Sequence, residues 1–483
     1  MSLTHLFVFL LIALIAGWLI PGRWRISFLL GASLIFIYWL QPSTPIRNLD
    51  FWLPTASIFL TVLVWAITHQ PQANSMRLTW ITASIVVGVV ILVGVTRYVE
   101  PICCLTPSRP PELFRILITT GLAAGIIALL YHFSPGNRFL PYLAIFTILG
   151  LFIILKSEPL SRSTSAWLRY STGQPYGMAS ALDLPWLGFS YLSFRLLHVL
   201  RDYQSGKLPP FSLDEFITYA LFFPSYTAGP IDRSERFVGD LRKSLQPLES
   251  PTRYQNKVTN TAQGVQRIVL GIFKKFVIAD SLAIFALNPQ NAVQTTSTLW
   301  MWVLLLAFSL RIYFDFSGYT DIAVGLGRLV GIKLPENFDR PYLKTNLAMF
   351  WNSWHITLAQ FFRAYYFNPL TRMLRTSKHP LPAWTIILIG QLTTMLLIGL
   401  WHGISWNFFI WGAWHGLGLF IHNRWTEWIR PREEFHTTLA NNHRLTNLLN
   451  WMVTFIFVTV GWVWFALPNP ALAWKTIRIL GGE

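Results

Sequence analysis

The chain has 483 residues, of which 53% are hydrophobic and only 12% charged, with 23 Trp. Soluble domains carry about 25% charged residues, so the bilayer is the expected solvent and a soluble enzyme is excluded. The net charge of +17 comes from 38 basic against 21 acidic residues scattered between apolar runs. That pattern fits anchoring on anionic lipid, with an acidic partner at the cytoplasmic face as a secondary expectation. No basic helix, zinc spacing or aromatic-basic strand pattern points to nucleic acid.

At about 20 residues per span the apolar content leaves room for roughly 11 to 13 helices. Unbroken runs, rather than alternation, argue against a barrel, so the expected fold is an all-α integral membrane bundle. The first third predicts spans near 3–20, 27–41, 51–69, 79–98, 113–132 and 138–156. The first run, Leu6 to Ile20, ends in Pro21-Gly22-Arg23 without a small-residue cleavage site, and is expected as a retained span. Short turn-rich loops join these runs: Pro42 to Arg47, Pro71 to Arg77, and a hinge from Pro101 to Pro111. The adjacent Cys103 and Cys104 argue against a disulfide framework. Residues 1–156 carry no acid–base cluster and are expected to be scaffold within a single membrane domain of 1–483.

Further along, Pro185 to Leu200 is apolar but interrupted by Arg195 and His198. Phe216 to Pro230 is broken by Pro224 and Gly229, which predicts a re-entrant segment buried in protein or lining a cavity. Residues 231–264 are hydrophilic and predict an extramembrane loop with short surface helices. An apolar helix over 264–290 carries Lys274 and Lys275, placed to snorkel toward headgroups. A span over 297–315 is expected to end at Asp315-Phe316-Ser317-Gly318-Tyr319-Thr320-Asp321, followed by 322–332. The last spans are predicted near 384–400, 404–422 and 447–467, with a polar loop over 423–446.

Two histidines sit in this apolar background, His355 in Trp351-Asn352-Ser353-Trp354-His355 and His402 in Leu400-Trp401-His402-Gly403. A titratable ring there costs stability unless it is hydrogen-bonded or used. Imidazole takes a proton near neutral pH, so His402 suits a general base acting on an alcohol. The alternative is a histidine bonded to a helix carbonyl and packed beside Trp401 and Trp406. His355 would orient substrate, hold a second proton or stabilise an oxyanion; otherwise it is an interfacial ring in an aromatic belt.

Asp315, Ser317, Tyr319, Asn337, Arg363, Trp401 and Asn407 are the candidates for binding substrate or for a structural polar network. Asp315 and Asp321 are expected to pair with Arg328 or Arg340 at a helix junction. Arg363 is placed to meet a phosphate or a pantetheine arm, or else to snorkel. His415 and His422 lack acidic companions at zinc spacing, so no metal is expected; a hydrogen-bonded core role for His415 and an interfacial one for His422 are favoured. No P-loop, dinucleotide motif or nucleophile elbow occurs in context.

From about Leu184 to Trp464 the chain resembles the membrane-bound O-acyltransferase family, in its alginate O-acetyltransferase-like and teichoic-acid D-alanyl transfer-like branch. The resemblance rests on ordered blocks: Phe222-Phe223-Pro224 through Ala228-Gly229-Pro230, Gly271 to Asp280 with Lys274-Lys275, Phe314 to Tyr319, Gly331 to Tyr342, Phe350 to Pro369, and Gly399 to Gly416. It implies a catalytic core over 184–467, with re-entrant segments around a central funnel and a tunnel through the protein. It also implies that His402 is the principal catalytic residue and His355 the second functional histidine.

The implied reaction moves an acyl group, acetyl in the first reading, from a thioester to hydroxyls of an exported polysaccharide or its export partner. The donor would be an acyl carrier protein or coenzyme A at the cytoplasmic face of a plasma or inner membrane, with no bound cofactor. D-alanyl transfer to teichoic-acid-like polymers is the nearest alternative, and a transporter or flippase is the alternative of another class; no paired broken spans support transport. Asn352 and Ser353 stand where relatives usually have two arginines, and Ala364 where they have an acid. The Lys-Lys block is alginate-like, whereas Gly229-Pro230-Ile231-Asp232-Arg233 looks closer to the D-alanyl branch.

Overall fold

The computed structural model describes residues 2–69, 76–100, 103–134, 136–246, 251–429 and 443–483. Most of the Pro71–Arg77 loop, the start of the Pro101 hinge and His436 with most of the 423–446 loop lie outside these residues. Among the described residues the protein is helical without strands; one isolated antiparallel bridge joins Phe338 and Trp354. Cys103 and Cys104 are paired with each other and so staple no separate segments.

Among the described residues, seven helices are long and apolar enough to cross a membrane: Leu49–Thr68, Met76–Tyr98, Leu113–Phe133, Phe139–Lys156, Thr298–Leu329, Ala383–His402 and Arg444–Ala466. The other apolar stretches form helices that are shorter or more polar, such as Leu3–Leu19.

The chain groups into two compact units. The first, Met1–Val269 with Asp321–Pro335, begins with α1 (Leu3–Leu14), α2 (Gly22–Trp39), α3 (Leu49–Thr68), α4 (Met76–Val95), α5 (Leu113–Phe133) and α6 (Phe139–Lys156). It continues through α7 (Glu158–Ser171), α8 (Phe189–Gln204), α9 (Leu213–Ala220), α10 (Ser234–Leu245) and most of α11 (Pro251–Ile272). Helix α3 is its centre: 67% of its apolar window is buried inside the protein, against 6% for α5, whose side chains are left for lipid. The segment after α9 leaves helical geometry at Leu221, yet nearly every residue from Leu213 to Tyr226 is buried. Its bared carbonyls are met by the buried Arg195 of α8, which donates to Ala220 O at 2.8 Å and to Ser225 O at 2.7 Å. An irregular backbone inside an apolar protein persists only when its polar groups are paired in this way.

The second unit, Leu270–Thr320 with Glu336–Glu483, holds α12 (Asp280–Ala283), α13 (Pro289–Gln294), and α14 (Thr298–Leu329) as far as Thr320. Then come α15 (Leu347–Trp351), α16 (Ile356–Phe362), α17 (Asn368–Arg375), α18 (Ala383–His402), α19 (Trp406–Ile429), α20 (His443–Ala466) and α21 (Pro470–Leu480). Two sequence expectations are corrected here. The predicted break at Asp315–Asp321 is absent: α14 runs unbroken for 32 residues. The acids also take other partners, Lys275 for Asp315 and Arg267 (2.7 Å) for Asp321, in place of Arg328 or Arg340. Lys275 is therefore drawn into an ion pair instead of snorkelling.

Helices α18 and α19 form a hairpin closed by glycine. A Cβ on Gly412 would lie 2.6 Å from Met395 O, and one on Gly416 would lie 2.9 Å from Leu392 Cα. The pair is spaced four apart on one face, the arrangement that lets apolar helices touch backbone to backbone.

Candidate active site

The hairpin places His402 as the last residue of α18, where the backbone turns out through Gly403. Its ring is partly buried in an aromatic cage, with centroids 4.6 Å from Trp401, 4.8 Å from Phe465, 5.6 Å from Trp411 and 5.9 Å from Phe408. Trp401 lies edge-on to a second ring as well, that of His355, at 6.0 Å. The two histidines thus share one indole neighbour although 47 residues separate them in the sequence.

His355 is built differently. It is the N-cap of α16 and sits in the left-handed region at φ +44° and ψ +52°, which a non-glycine residue adopts at a cost of about 1–2 kcal/mol. Backbone bonds on both sides hold it there. Asp339 N–H donates to Ser353 O at 3.0 Å, and Ile356 N–H donates to Asn337 O at 3.0 Å. Phe338 and Trp354, bridged between those bonds, pack edge to face at 5.2 Å. The ring of Phe316 from α14 closes on His355 at 4.7 Å. Strain persisting inside an over-determined frame is typical of functional positions.

Asn337 is fully buried beneath this strap. Its Oδ1 accepts from Thr357 N–H at 3.2 Å and Thr357 Oγ1 at 2.9 Å, and lies 3.1 Å from His355 Nδ1. The frame itself rests on Tyr342, whose hydroxyl donates to Ser309 O (2.9 Å) and accepts from Trp462 Nε1 (3.0 Å). Outside it, exposed Asp339 is held below the ordinary carboxylate range, chiefly by the hydrogen bond that Lys344 donates at 2.8 Å.

The remaining expected site residues divide. Ser317 and Tyr319 are buried along α14 next to Phe316, and Asp315 is half exposed in its pair with Lys275. Arg363 is exposed, donates to Asn352 Oδ1 at 2.6 Å, and lines a cavity of about 180 Å³ with Trp351, Phe367, Gln391 and Ile398. Asn407 is buried, and its amide donates to Leu467 O at 2.7 Å, tying α19 to the end of α20. His415 is in the core as expected, fully buried, but neither ring nitrogen meets a hydrogen-bond partner among the described residues. It is held by Trp411, Trp351 and Phe457, with centroids at 4.9, 5.2 and 5.8 Å. The expectation of a hydrogen-bonded histidine is therefore corrected: ring packing holds it. Sequence reasoning missed Phe316, Phe408, Trp411 and Phe465, because an aromatic residue in an apolar run carries no signal of which ring it will meet.

The model of the membrane-bound O-acyltransferase family matches residues 155–468, a stretch that contains every part of this arrangement. The chain belongs to the membrane-bound O-acyltransferase family. It is a multi-pass membrane protein, as the family and the seven apolar helices require. Among curated members of the family it is similar to a peptidoglycan O-acetyltransferase of Helicobacter pylori, 36% identical over 275 residues, or 56% of this chain and 48% of that one. A teichoic acid D-alanyltransferase of Streptococcus thermophilus is 30% identical over 65% of this chain and 74% of its own. A probable alginate O-acetylase of Pseudomonas aeruginosa is 33% identical over 62% and 52% respectively. The match thus spans about half the length of two of these relatives.

Proposed function

We propose that this family member is an O-acyltransferase that moves an acyl group, acetyl in the first reading, from a thioester to hydroxyls of an exported polysaccharide or its export partner. The observation that carries the reading is the meeting of His402 and His355 on one indole, inside the segment matched by the family. In the reaction, the acceptor hydroxyl gives its proton to the imidazole of His402 while its oxygen attacks the thioester carbonyl. The tetrahedral intermediate then collapses, the C–S bond breaks, and the thiolate leaves with a proton returned by the imidazolium. The thioester bond supplies the driving force, so no nucleotide is consumed. The aromatic cage keeps bulk water from competing as nucleophile.

The donor is an acyl carrier protein or coenzyme A reaching the site from the cytoplasmic face of a plasma or inner membrane. D-alanyl transfer remains a second reading on a specific observation: the D-alanyltransferase relative is covered over 74% of its length, against about half for the two acetylating relatives.

The test uses full-length protein in vesicles, with labelled acetyl and D-alanyl thioesters and an envelope polysaccharide. His402→Ala is expected to abolish transfer, a loss of at least about a hundredfold, while the protein still inserts and melts cooperatively. Near wild-type turnover in that variant sinks the assignment of His402. Label appearing only from the D-alanyl donor replaces the acetyl reading with the second one.

A further inference from the structure

Asn337 dictates which nitrogen of His355 carries the proton. Its Oδ1 faces the backbone N–H of Thr357 at 3.2 Å, and a backbone amide can only donate. The side-chain amide is therefore fixed with oxygen toward Thr357 and His355; turning it over would set its NH2 against that N–H, donor to donor. The same oxygen lies 3.1 Å from His355 Nδ1, so a neutral ring here must donate from Nδ1. Its lone pair is then on Nε2.

We infer that Asn337 is a positioning residue that locks His355 in the Nδ1–H tautomer, making its Nε2 a hydrogen-bond acceptor that orients the acceptor polymer and not an oxyanion donor. The inference rests on the acyltransferase reading for its chemical consequence and on geometry alone for the lock. Three structural features converge on it. The left-handed backbone of His355 fixes where the ring starts, at φ +44°. The paired bonds of Asp339 N–H to Ser353 O and Ile356 N–H to Asn337 O hold the asparagine and the histidine in one strap. Phe316, edge-on at 4.7 Å, packs against the ring.

A neutral imidazole with this tautomer has no hydrogen to give through Nε2, which removes oxyanion stabilisation from the roles open to His355. It keeps the role of receiving a hydrogen bond from a neighbouring hydroxyl of the acceptor, which orients the hydroxyl that gives its proton to His402. His402, in its cage of rings, carries the proton from the attacking hydroxyl to the departing sulfur.

The experiment has two arms. In the first, histidine labelled at its ring nitrogens is incorporated into the full-length protein in lipid nanodiscs, and His355 is assigned by the signal lost in His355→Gln. The wild type is expected to show the proton on Nδ1, and Asn337→Leu, of similar volume without the acceptor, to lose that preference. A wild-type ring protonated on Nε2 overturns the lock, as does an undisturbed tautomer in Asn337→Leu.

In the second arm, kcat of Asn337→Leu is expected to fall by about a hundredfold with KM for the thioester within about twofold, because a mis-set tautomer removes the group that orients the acceptor hydroxyl without touching the donor. Asn337→Asp, which restores an oxygen facing Thr357 N–H and Nδ1, is expected to recover most of that loss. Unchanged kcat in Asn337→Leu, or no recovery in Asn337→Asp when its Nδ1–H tautomer is present, overturns the catalytic consequence. A wild type that shows the Nδ1–H ring yet transfers no acyl group from any thioester refutes the acyltransferase reading and leaves the lock standing, so the two failures are told apart.

Discussion

At the scale of single residues, three histidines of the second unit meet three different fates, and only their neighbours distinguish them. His355 is tied to a carboxamide, His402 is ringed by aromatics at a helix end, and His415 is sealed among Trp351, Trp411 and Phe457 with no hydrogen-bond partner among the described residues. A fully buried polar ring without partners is a cost that its packing must offset. His415→Gln exchanges that ring for a flexible amide with more unmet hydrogen-bonding groups, so it is expected to lower stability by about 1–3 kcal/mol. Turnover per folded molecule should be unchanged. Thermal unfolding and activity measured on the same detergent-solubilised sample check both halves; lost turnover at unchanged melting temperature would move His415 into the reaction. The sequence made His402 and His355 legible as candidates, because a histidine in an apolar tract is conspicuous. It could not reveal the partner of His355, since Asn337 lies 18 residues upstream and only a strap closed by backbone hydrogen bonds brings it beneath the ring.

At the scale of elements, the instructive case is α14. Asp315, Ser317, Gly318 and Asp321 look like the end of a membrane helix, because two acids and a glycine are expensive in lipid. They do not interrupt it, since the expense is met by α11 and the turns that follow it. Lys275 and Arg267 neutralise the two acids, and a Cβ on Gly318 would lie 2.8 Å from Gly271 O, so only glycine permits that approach. The helix period was visible in the sequence; the identity of the facing helix was not, and that decides whether such residues break or bind. The Arg267–Asp321 pair supports a prediction. The Asp321 side chain is 9% exposed and that of Arg267 29%, so Arg267→Met removes a cation from beside a nearly buried carboxylate and should cost about 2–4 kcal/mol. Arg267→Met combined with Asp321→Asn should recover much of the loss, as a double-mutant cycle in chemical unfolding would record. Strict additivity of the two losses would show that the pair is not coupled.

At the scale of the whole molecule, the segment matched by the family begins at residue 155, yet the first unit cannot be assembled from that segment alone. Helix α3, which lies ahead of it, is the most buried of the candidate spans. Its Ser57 Oγ takes hydrogen bonds from Trp186 Nε1 at 2.8 Å and Tyr226 OH at 3.1 Å, and its Trp65 Nε1 donates to Phe211 O at 3.3 Å. Gln41 Nε2 donates to Pro185 O at 2.7 Å. Each of these bonds joins the early helices to residues that the family model matches. Removing residues 1–154 would leave buried or partly buried indole, phenol and carbonyl groups without these partners, a loss of up to about 1–3 kcal/mol for each, besides baring the apolar surface that α3 covers. A chain of residues 155–483 expressed alone is therefore expected to be degraded or to aggregate in the membrane. Co-expression of residues 1–154 as a separate polypeptide should restore both abundance and acyl transfer, because the contacts are non-covalent. Quantifying membrane-inserted protein and turnover for the two halves, singly and together, decides the matter: a fully stable and active 155–483 chain would show that the early spans are dispensable scaffold and that α3 is only a passenger in the core it occupies.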